Sequence, residues 1–394
     1  MKSFLLVLLV VFFFSMPVIA QLQVSGQAST GFVKSNDGES QYTFNAGKGT
    51  FIWRLDLFSD ALISDNIAFL SNFRMLQDQV PHVDLLAIRV SDVGSSGISF
   101  QAGEIDVPFG DLGERRFAKQ NPFLHLPLAN EHITALCKSD YKVWTLIPEY
   151  QIVGDGVCLL DQGLYDLGVK AYGSVGILDY SVALINGMVS TTGTYSPNGL
   201  NPNHGFGKVV RLAATPLAEL TIGASFAVGP FMNDESHTIL ISDGNADTSA
   251  FFGKSPDGYL QKIVGGDVRF SMGHLSLFGE VLDNRWEYLN SVELTAFSYS
   301  AMVQYAFTPR VSGALRASGV SFNTIANMKQ LNESFRPVLY SGKWDHDVFR
   351  LEASVICKLE ASLHVKAGYE LNRTYDLPKD PVDDVMFIQT VVSF

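Results

Sequence analysis

Along most of this chain the apolar residues fall at every second position. In Leu363–Leu371, Leu363, Val365, Ala367, Tyr369 and Leu371 share one face, and His364, Lys366, Gly368 and Glu370 share the other. Phe51, Trp53, Leu55 and Leu57 oppose Arg54 and Asp56, and Leu220, Ile222, Ala224, Phe226 and Val228 oppose Thr221, Gly223 and Ser225. A period of two predicts β-strands with one apolar and one polar face. The runs reach roughly ten residues or more, against a mode near five or six in soluble proteins.

The runs come in pairs. Short links are expected at Ser174-Val175, Thr215-Pro216, near Gly273, at Thr308-Pro309 and near Lys358-Leu359. Longer polar segments, such as GTYSPNGLNPNHG and NDESHTILISDGNADTSAFFGKSPDG, separate the pairs. Strands are expected to start near Leu22, Thr50, Ile67, Leu85, Ile98, Leu164, Ile177, Lys208, Leu220, Ile263, Leu275, Leu294, Val311, Val348, Leu363 and Val385. That makes about sixteen, an even number, as closure of an antiparallel single-chain barrel requires. Short turns at one end and long loops at the other mark a transmembrane β-barrel, whose closure leaves no unpaired edge in lipid. A buried last strand of a secreted sandwich or β-helix fits strand length and turn asymmetry less well.

Residues 1–20 stand apart. Lys2 precedes an apolar run over Phe4–Phe14, Pro17 breaks it, and Val18-Ile19-Ala20 ends it. This is a secretory signal with cleavage expected after Ala20. The run is short for an uncleaved anchor. Residues 21–394 are expected to form a single barrel domain. The chain is 47% hydrophobic, yet no second apolar run is long enough for a transmembrane helix. A net charge of −12 argues against nucleic acid, which needs basic surface. The cysteines, Cys137, Cys158 and Cys357, are odd in number and cannot form a full disulfide framework. Cys137 and Cys158 could pair or remain free.

The last strand places Met386, Ile388, Thr390, Val392 and Phe394 on one face and Gln389 and Ser393 on the other. It should close onto the first strand, LQVSGQASTGF, with Phe394 in the aromatic girdle. Here the chain resembles the Gram-negative outer-membrane porins. In them a C-terminal strand ending in Phe is the signal read by the barrel-assembly machinery, a role the resemblance gives to Phe394. It also implies outer-membrane lipid as surroundings, small hydrophilic solutes as cargo, and a homotrimer.

One loop stands out. It follows the fifth strand and spans about 107–162, rich in Phe, Leu and Pro. So long a segment should be functional or disordered, and its apolar content argues for packing inside the barrel. In sixteen-stranded porins the third external loop follows strand five and folds inward. General members carry Pro-Glu-Phe-Gly-Gly there; this chain has Pro108-Phe109-Gly110, without the Glu and the second Gly. Gly103 to Pro108 followed by Phe-Gly also looks like the phosphate-selective porins. Gly110 and Gly113 allow a sharp bend, and Asp111, Glu114, Arg115, Arg116 and Lys119 then fall where the bore should be narrowest. These charges either filter solutes or anchor the loop in ion pairs. The Asn121-Pro122 turn and the PFLHLPL run read as packing.

The alternation assigns Arg54, Arg74, Arg89, Lys170, Arg211, Arg269, Arg316, Arg350 and Lys366 to the lumen, with Asp56, Asp166, Asp267, Glu280, Glu352 and Glu370. The basic excess points to a mild anion preference, and the remaining acid falls largely in outer loops, as at Asp234, Glu235, Asp243, Asp247 and Asp257. A mixed lumen with little selectivity is the alternative. No HExxH, GxSxG, Walker or CxxC pattern is present, and the histidines are scattered, with His125 and His132 in the long loop. No catalytic residue, metal ligand or cofactor is assigned. The reading is a passive porin. A barrel permanently plugged by its loop and an outer-membrane lipid hydrolase are the other classes.

Overall fold

The computed structural model describes residues 21–36, 49–77, 81–136, 156–161, 163–190, 205–231, 256–288, 292–331, 337–375 and 383–394. The signal segment, Cys137 with its pairing, and the loop acids Asp234, Glu235, Asp243 and Asp247 lie outside these residues.

Thirteen strands lead off: β1 (Gln21–Ser35), β2 (Gly49–Ser64), β3 (Ile67–Leu76), β4 (His82–Val90), β5 (Ile98–Asp106), β6 (Tyr165–Val175), β7 (Leu178–Ile185), β8 (Gly207–Leu217), β9 (Leu220–Pro230), β10 (Leu260–Met272), β11 (Leu275–Glu287), β12 (Glu293–Ala306) and β13 (Val311–Phe322). A hairpin follows, β14 (Thr324–Leu331) and β15 (Pro337–Lys343), then β16 (Val348–Lys358), β17 (Leu363–Thr374) and β18 (Val385–Ser393). A one-turn helix, α1, covers Leu128–Glu131 between β5 and β6. All strands except β14 and β15 form one closed antiparallel barrel, in which β1 pairs with both β2 and β18. Sixteen strands in the wall match the sixteen starts read from the alternation. The β14–β15 hairpin belongs to the connection between β13 and β16 and was not anticipated.

Closure is direct at the chain's end. Gln27 faces Ser393 and Ser35 faces Val385 across the β1–β18 ladder. Gly26 and Phe394 exchange backbone hydrogen bonds of 2.9 and 3.0 Å. A Cβ on residue 26 would sit 2.7 Å from the Phe394 ring, so glycine is what lets the ring lie there. The outer face carries exposed Trp53, Ile88, Val169, Leu212, Val264, Leu315 and Ile388. Exposed aromatics mark both rims, Phe51, Phe206 and Tyr375 at the loop end and Tyr305, Phe307 and Phe394 at the turn end. An apolar band between aromatic girdles is what a membrane-spanning barrel presents to lipid. Among the described residues no helix is long and apolar enough to cross a membrane.

Two turns differ from expectation. The β6–β7 link is at Gly176-Ile177 rather than Ser174-Val175, because Gly176 supplies the positive φ of 62° that the reversal needs. The β8–β9 link is at Ala218-Glu219 rather than Thr215-Pro216. Pro216 falls inside a register shift between Ala214 and Leu217, where its missing N–H costs no ladder bond. The inner face departs further. Near the loop end, Ile185, Val209, Ala227, Ile263, Leu282, Leu294, Ala296, Val320, Phe322 and Val348 form one buried apolar cluster with Leu128, Leu136, Val157, Leu159 and Leu160 of the β5–β6 connection. There both faces of the wall are apolar.

Candidate functional site

The β5–β6 connection leaves the wall through two positive-φ glycines, Gly110 at 64° and Gly113 at 45°. Pro108 and Phe109 are buried, and Phe109 belongs to the apolar cluster. The chain then crosses to β9, where the Gly110 amide donates to Ser225 Oγ at 3.0 Å. Asp111 comes to lie among three guanidinium groups, with Arg115 Nη2 at 3.3 Å, Arg269 Nη1 at 3.7 Å and Arg211 Nη2 at 4.0 Å. Arg211 in turn holds Asp267 with contacts of 2.5 and 2.9 Å and donates to Ser225 at 3.1 Å. Arg115 stacks over Phe278, 4.0 Å from the ring centroid.

Arg116 turns the other way. It donates to the Gly163 carbonyl at 2.5 Å and to the Gly113 carbonyl at 2.8 Å, and lies over Tyr165. It ties the start of the connection to its end. Lys119 reaches the seam of the barrel, its amide donating to Gln27 Oε1 at 2.9 Å and its Nζ to Ser393 Oγ at 2.8 Å.

Three wall cations then take loop carbonyls in succession. Lys366 Nζ donates to Ala118 O at 2.8 Å, Asn121 O at 2.9 Å and Phe123 O at 3.4 Å. Arg316 donates to His125 O at 2.7 Å while holding Glu352 with contacts of 2.5 and 2.6 Å. Arg350 reaches Leu126 O at 3.3 Å, Glu131 Oε2 at 2.9 Å and Asn372 Oδ1 at 2.8 Å. His125 Nδ1 lies 2.6 Å from Glu370 Oε2, and His132 Nε2 lies 3.3 Å from Asp345 Oδ2. Both loop histidines are thus structural partners. Burial alone would lower the His125 pKa, but the Glu370 and Glu131 carboxylates outweigh it and hold it above the ordinary value.

Three further wall cations are compensated by carboxylates. Arg54 holds Asp56 at 2.8 Å, Arg74 holds Asp84 at 3.1 Å, and Lys170 holds Asp106 at 2.6 Å. Asp84, Asp106 and Glu131 were not among the acids read from the alternation. Asp84 escaped because β4 carries a register irregularity: Leu85 pairs with Asn72 but Val83 pairs with Phe73, so Asp84 is the extra residue. The bulge turns its carboxylate inward beside Arg74. Arg89 is half-buried beside Gln101 on the β4–β5 ladder.

Charge is less balanced in a cavity of about 440 Å³ toward the turn end, bounded by the connection, β10–β13, β16 and β17. Arg115, Lys119, Arg269, Lys358, His364 and Lys366 line it, with Asp111 and Glu114. Among the described residues no cluster of His, Cys, Asp and Glu could hold a metal ion.

No family model and no curated protein sequence matches the chain. Solved structures do. An anion-selective porin from Comamonas acidovorans is similar over 95% of this chain and 100% of that one, with a TM-score of 0.60 at 8% identity. Salmonella typhi OmpF, in complex with daunomycin, covers 95% and 97%, with a TM-score of 0.57 at 12% identity. The outer membrane channel DcaP of Acinetobacter baumannii covers 96% and 99%, with a TM-score of 0.56 at 10% identity. The fold is that of a closed sixteen-stranded bacterial outer-membrane barrel. Within that class the likeness is to the porins.

Proposed function

We propose that this chain is an outer-membrane porin, a passive channel for small hydrophilic solutes with a mild preference for anions. One observation carries the reading: a closed sixteen-stranded wall has an apolar outer face and a charged inner face on which Asp111, Arg211 and Arg269 meet. A closed wall satisfies every backbone group in lipid, and fixed charges facing inward sort solutes by sign. The connection after β5 constricts the bore, with Asp111, Glu114, Arg115 and Lys119 at its narrow part. The anion preference rests on the basic cavity at the turn end, since most other wall cations are neutralised by partners. Residence in an outer membrane, assembly through Phe394, and a homotrimer complete the proposal.

The test is planar-bilayer conductance of refolded protein across a KCl gradient. Open steps with reversal on the anion side support the whole reading. Open steps without that bias leave the channel and remove the preference. Absence of steps from folded protein removes the channel.

A second reading has its own support. The apolar cluster between the connection and β7–β16 seals much of the loop end, which favours a permanently plugged barrel. Deleting residues 111–162 separates the two: a plugged barrel conducts only after the deletion.

A further inference from the structure

We infer that the outer face of the wall, at the turn end, holds a binding site for one anionic phospholipid, with an acyl chain lying across β12, β13, β16 and β17 and the phosphate at Arg310. The wall is not smooth there. A groove of about 730 Å³ is sunk into it. Its floor is Gly313 of β13, Ala353 of β16 and Ala367 of β17, small residues set among the larger Leu315 and Val355. Tyr305 and Phe307 wall the groove at the turn end, their rings edge-on with centroids 5.4 Å apart. A Cβ on residue 313 would sit 2.9 Å from the Phe307 ring, so glycine lets that ring fold down over the floor. Tyr369 walls the other end, and its hydroxyl donates to Asp384 Oδ2 at 2.7 Å, which fixes the ring. The groove is therefore already formed, and its lining is almost wholly apolar. Preformed apolar hollows of this size hold small ligands. On the face that meets lipid, the ligand at hand is a hydrocarbon chain.

Charge on the rim supplies the second half of the argument. Arg310 is exposed in the β12–β13 turn, three residues beyond Phe307, and the exposed His274 of the β10–β11 turn lies against Tyr305, 6.1 Å between ring centroids. The turns from β2 to β9 carry Asp65, Asp92 and Glu219 and no Lys or Arg. Those from β10 to β17 carry Arg310 and His274, with Glu360 as their acid. A phosphate group is thus drawn to the rim above the groove and repelled from the rim across the barrel. Aromatic rings sit at the headgroup level of a membrane, and a cation there attracts lipid phosphate. An acyl chain joined to a phosphate matches an apolar groove headed by a cation. A second copy of the chain would fill the groove with an apolar ridge and would need no cation at its head. The site rests on the outer-membrane reading for its ligand, but its occupation does not require conduction.

The experiment is native mass spectrometry of the refolded, detergent-solubilised protein titrated with dipalmitoyl phosphatidylglycerol, repeated with dipalmitoyl phosphatidylcholine, which has no net charge. Folding is checked by heat-modifiable mobility. Saturable retention of phosphatidylglycerol is expected, with weaker retention of phosphatidylcholine. Arg310→Gln should weaken the anionic lipid about fivefold, the contribution of one cation at a membrane surface, and leave phosphatidylcholine unchanged. Ala353→Leu fills the floor while keeping the outer face apolar, and should weaken both lipids. Ala102→Leu makes the same change on the outer face of β5, opposite Ile88, and should weaken neither. No lipid on the wild type, or equal retention by the Ala353→Leu and Ala102→Leu variants, overturns the site. Equal affinity for the two lipids overturns the part given to Arg310. An oligomer that Ala353→Leu dissociates without loss of lipid gives the groove to a second copy and also overturns the proposal. Conductance recorded in parallel judges the channel separately: a conducting wild type that retains no lipid loses the site and keeps the pore.

Discussion

Lys366 separates two roles that look identical in sequence. By alternation it is a lumenal charge; by geometry its ammonium is spent on the carbonyls of Ala118, Asn121 and Phe123. The residue is 1% exposed. Lys366→Met keeps most of the volume and removes the donors. A hydrogen bond to a charged group contributes about 1.5–3 kcal/mol, and two of these contacts are short while the third is long. The gross loss of anchoring is therefore about 3–5 kcal/mol. Relief of the buried ammonium's desolvation and the packing of Met offset part of it, leaving a net of about 2–3 kcal/mol. Local opening of the loop should then rise roughly 30- to 150-fold. Hydrogen exchange over 118–126 reads that opening, and single-channel recording should show more flicker. The reversal potential in a KCl gradient should move little, because the ammonium is buried and turned to the loop carbonyls rather than to passing solute. A shift toward cations with unchanged exchange would refute the anchor and restore the filter.

Three further outcomes follow from the same contacts. Glu352→Gln leaves the Arg316 guanidinium buried without its carboxylate and should cost about 3–5 kcal/mol, read as a lower unfolding midpoint in micelles; adding Arg316→Met should recover part of it. Trp344→Ala removes a buried ring that meets Trp286 and Phe322 edge-on, at 5.6 and 4.8 Å between centroids, and should lower stability by about 3–5 kcal/mol with the barrel still closed. His125 should make loop anchoring pH-dependent. Its pKa is raised by Glu370 (β17) and Glu131 (α1) against burial and Arg350 (β16), so the His125–Glu370 contribution is fully present below the ordinary histidine value and fades as pH rises through the elevated one. Exchange over 122–126 should increase on that rise, and His125→Phe should flatten the dependence.

The wall was legible because lipid on one side imposes a strict period of two, and a one-residue slip would turn a whole face the wrong way. Residues such as Arg54, Arg211 and Lys366 could be placed on a face from that rule alone. What the rule could not carry was anything that breaks it. The bulge at Asp84 adds one residue and swaps sides without a sequence mark. The apolar interior near the loop end did leave a trace, in the adjacent pairs Val209-Val210, Ile263-Val264 and Val281-Leu282, where both faces are apolar at once. Partner choice was invisible. Nothing in the alternation distinguishes Lys366, bound to carbonyls of the loop, from Arg316, which holds the Glu352 carboxylate.

The interior is therefore not uniform around its circumference, and this bears on where solute could pass. Along β7–β13 near the loop end, the inner face is sealed by apolar packing around Ile263, Leu282 and Trp286. Along β1–β6 more of the buried residues are polar, among them Gln27, Asp56, Asn72, Gln101 and Asp166, although Ala87 and Ile105 join the apolar cluster. Polar atoms there, such as Arg74 Nε, Arg89 Nε and Gln101 Nε2, have no hydrogen-bond partner among the described residues, and the same holds of Trp286 Nε1 and Ser318 Oγ across the barrel. Opening a polar contact costs far less than parting an apolar core, so at the loop end a permeation path should run beside β1–β6 before it reaches the basic cavity at the turn end. Cysteines placed singly at Gln101 and at Ala227, with Cys137, Cys158 and Cys357 replaced by serine, test this. A charged thiol reagent should block current strongly at Gln101→Cys and slowly or not at all at Ala227→Cys. Equal block at both positions would mean that the apolar cluster is no seal, and block only at Ala227→Cys would put the path on the opposite wall.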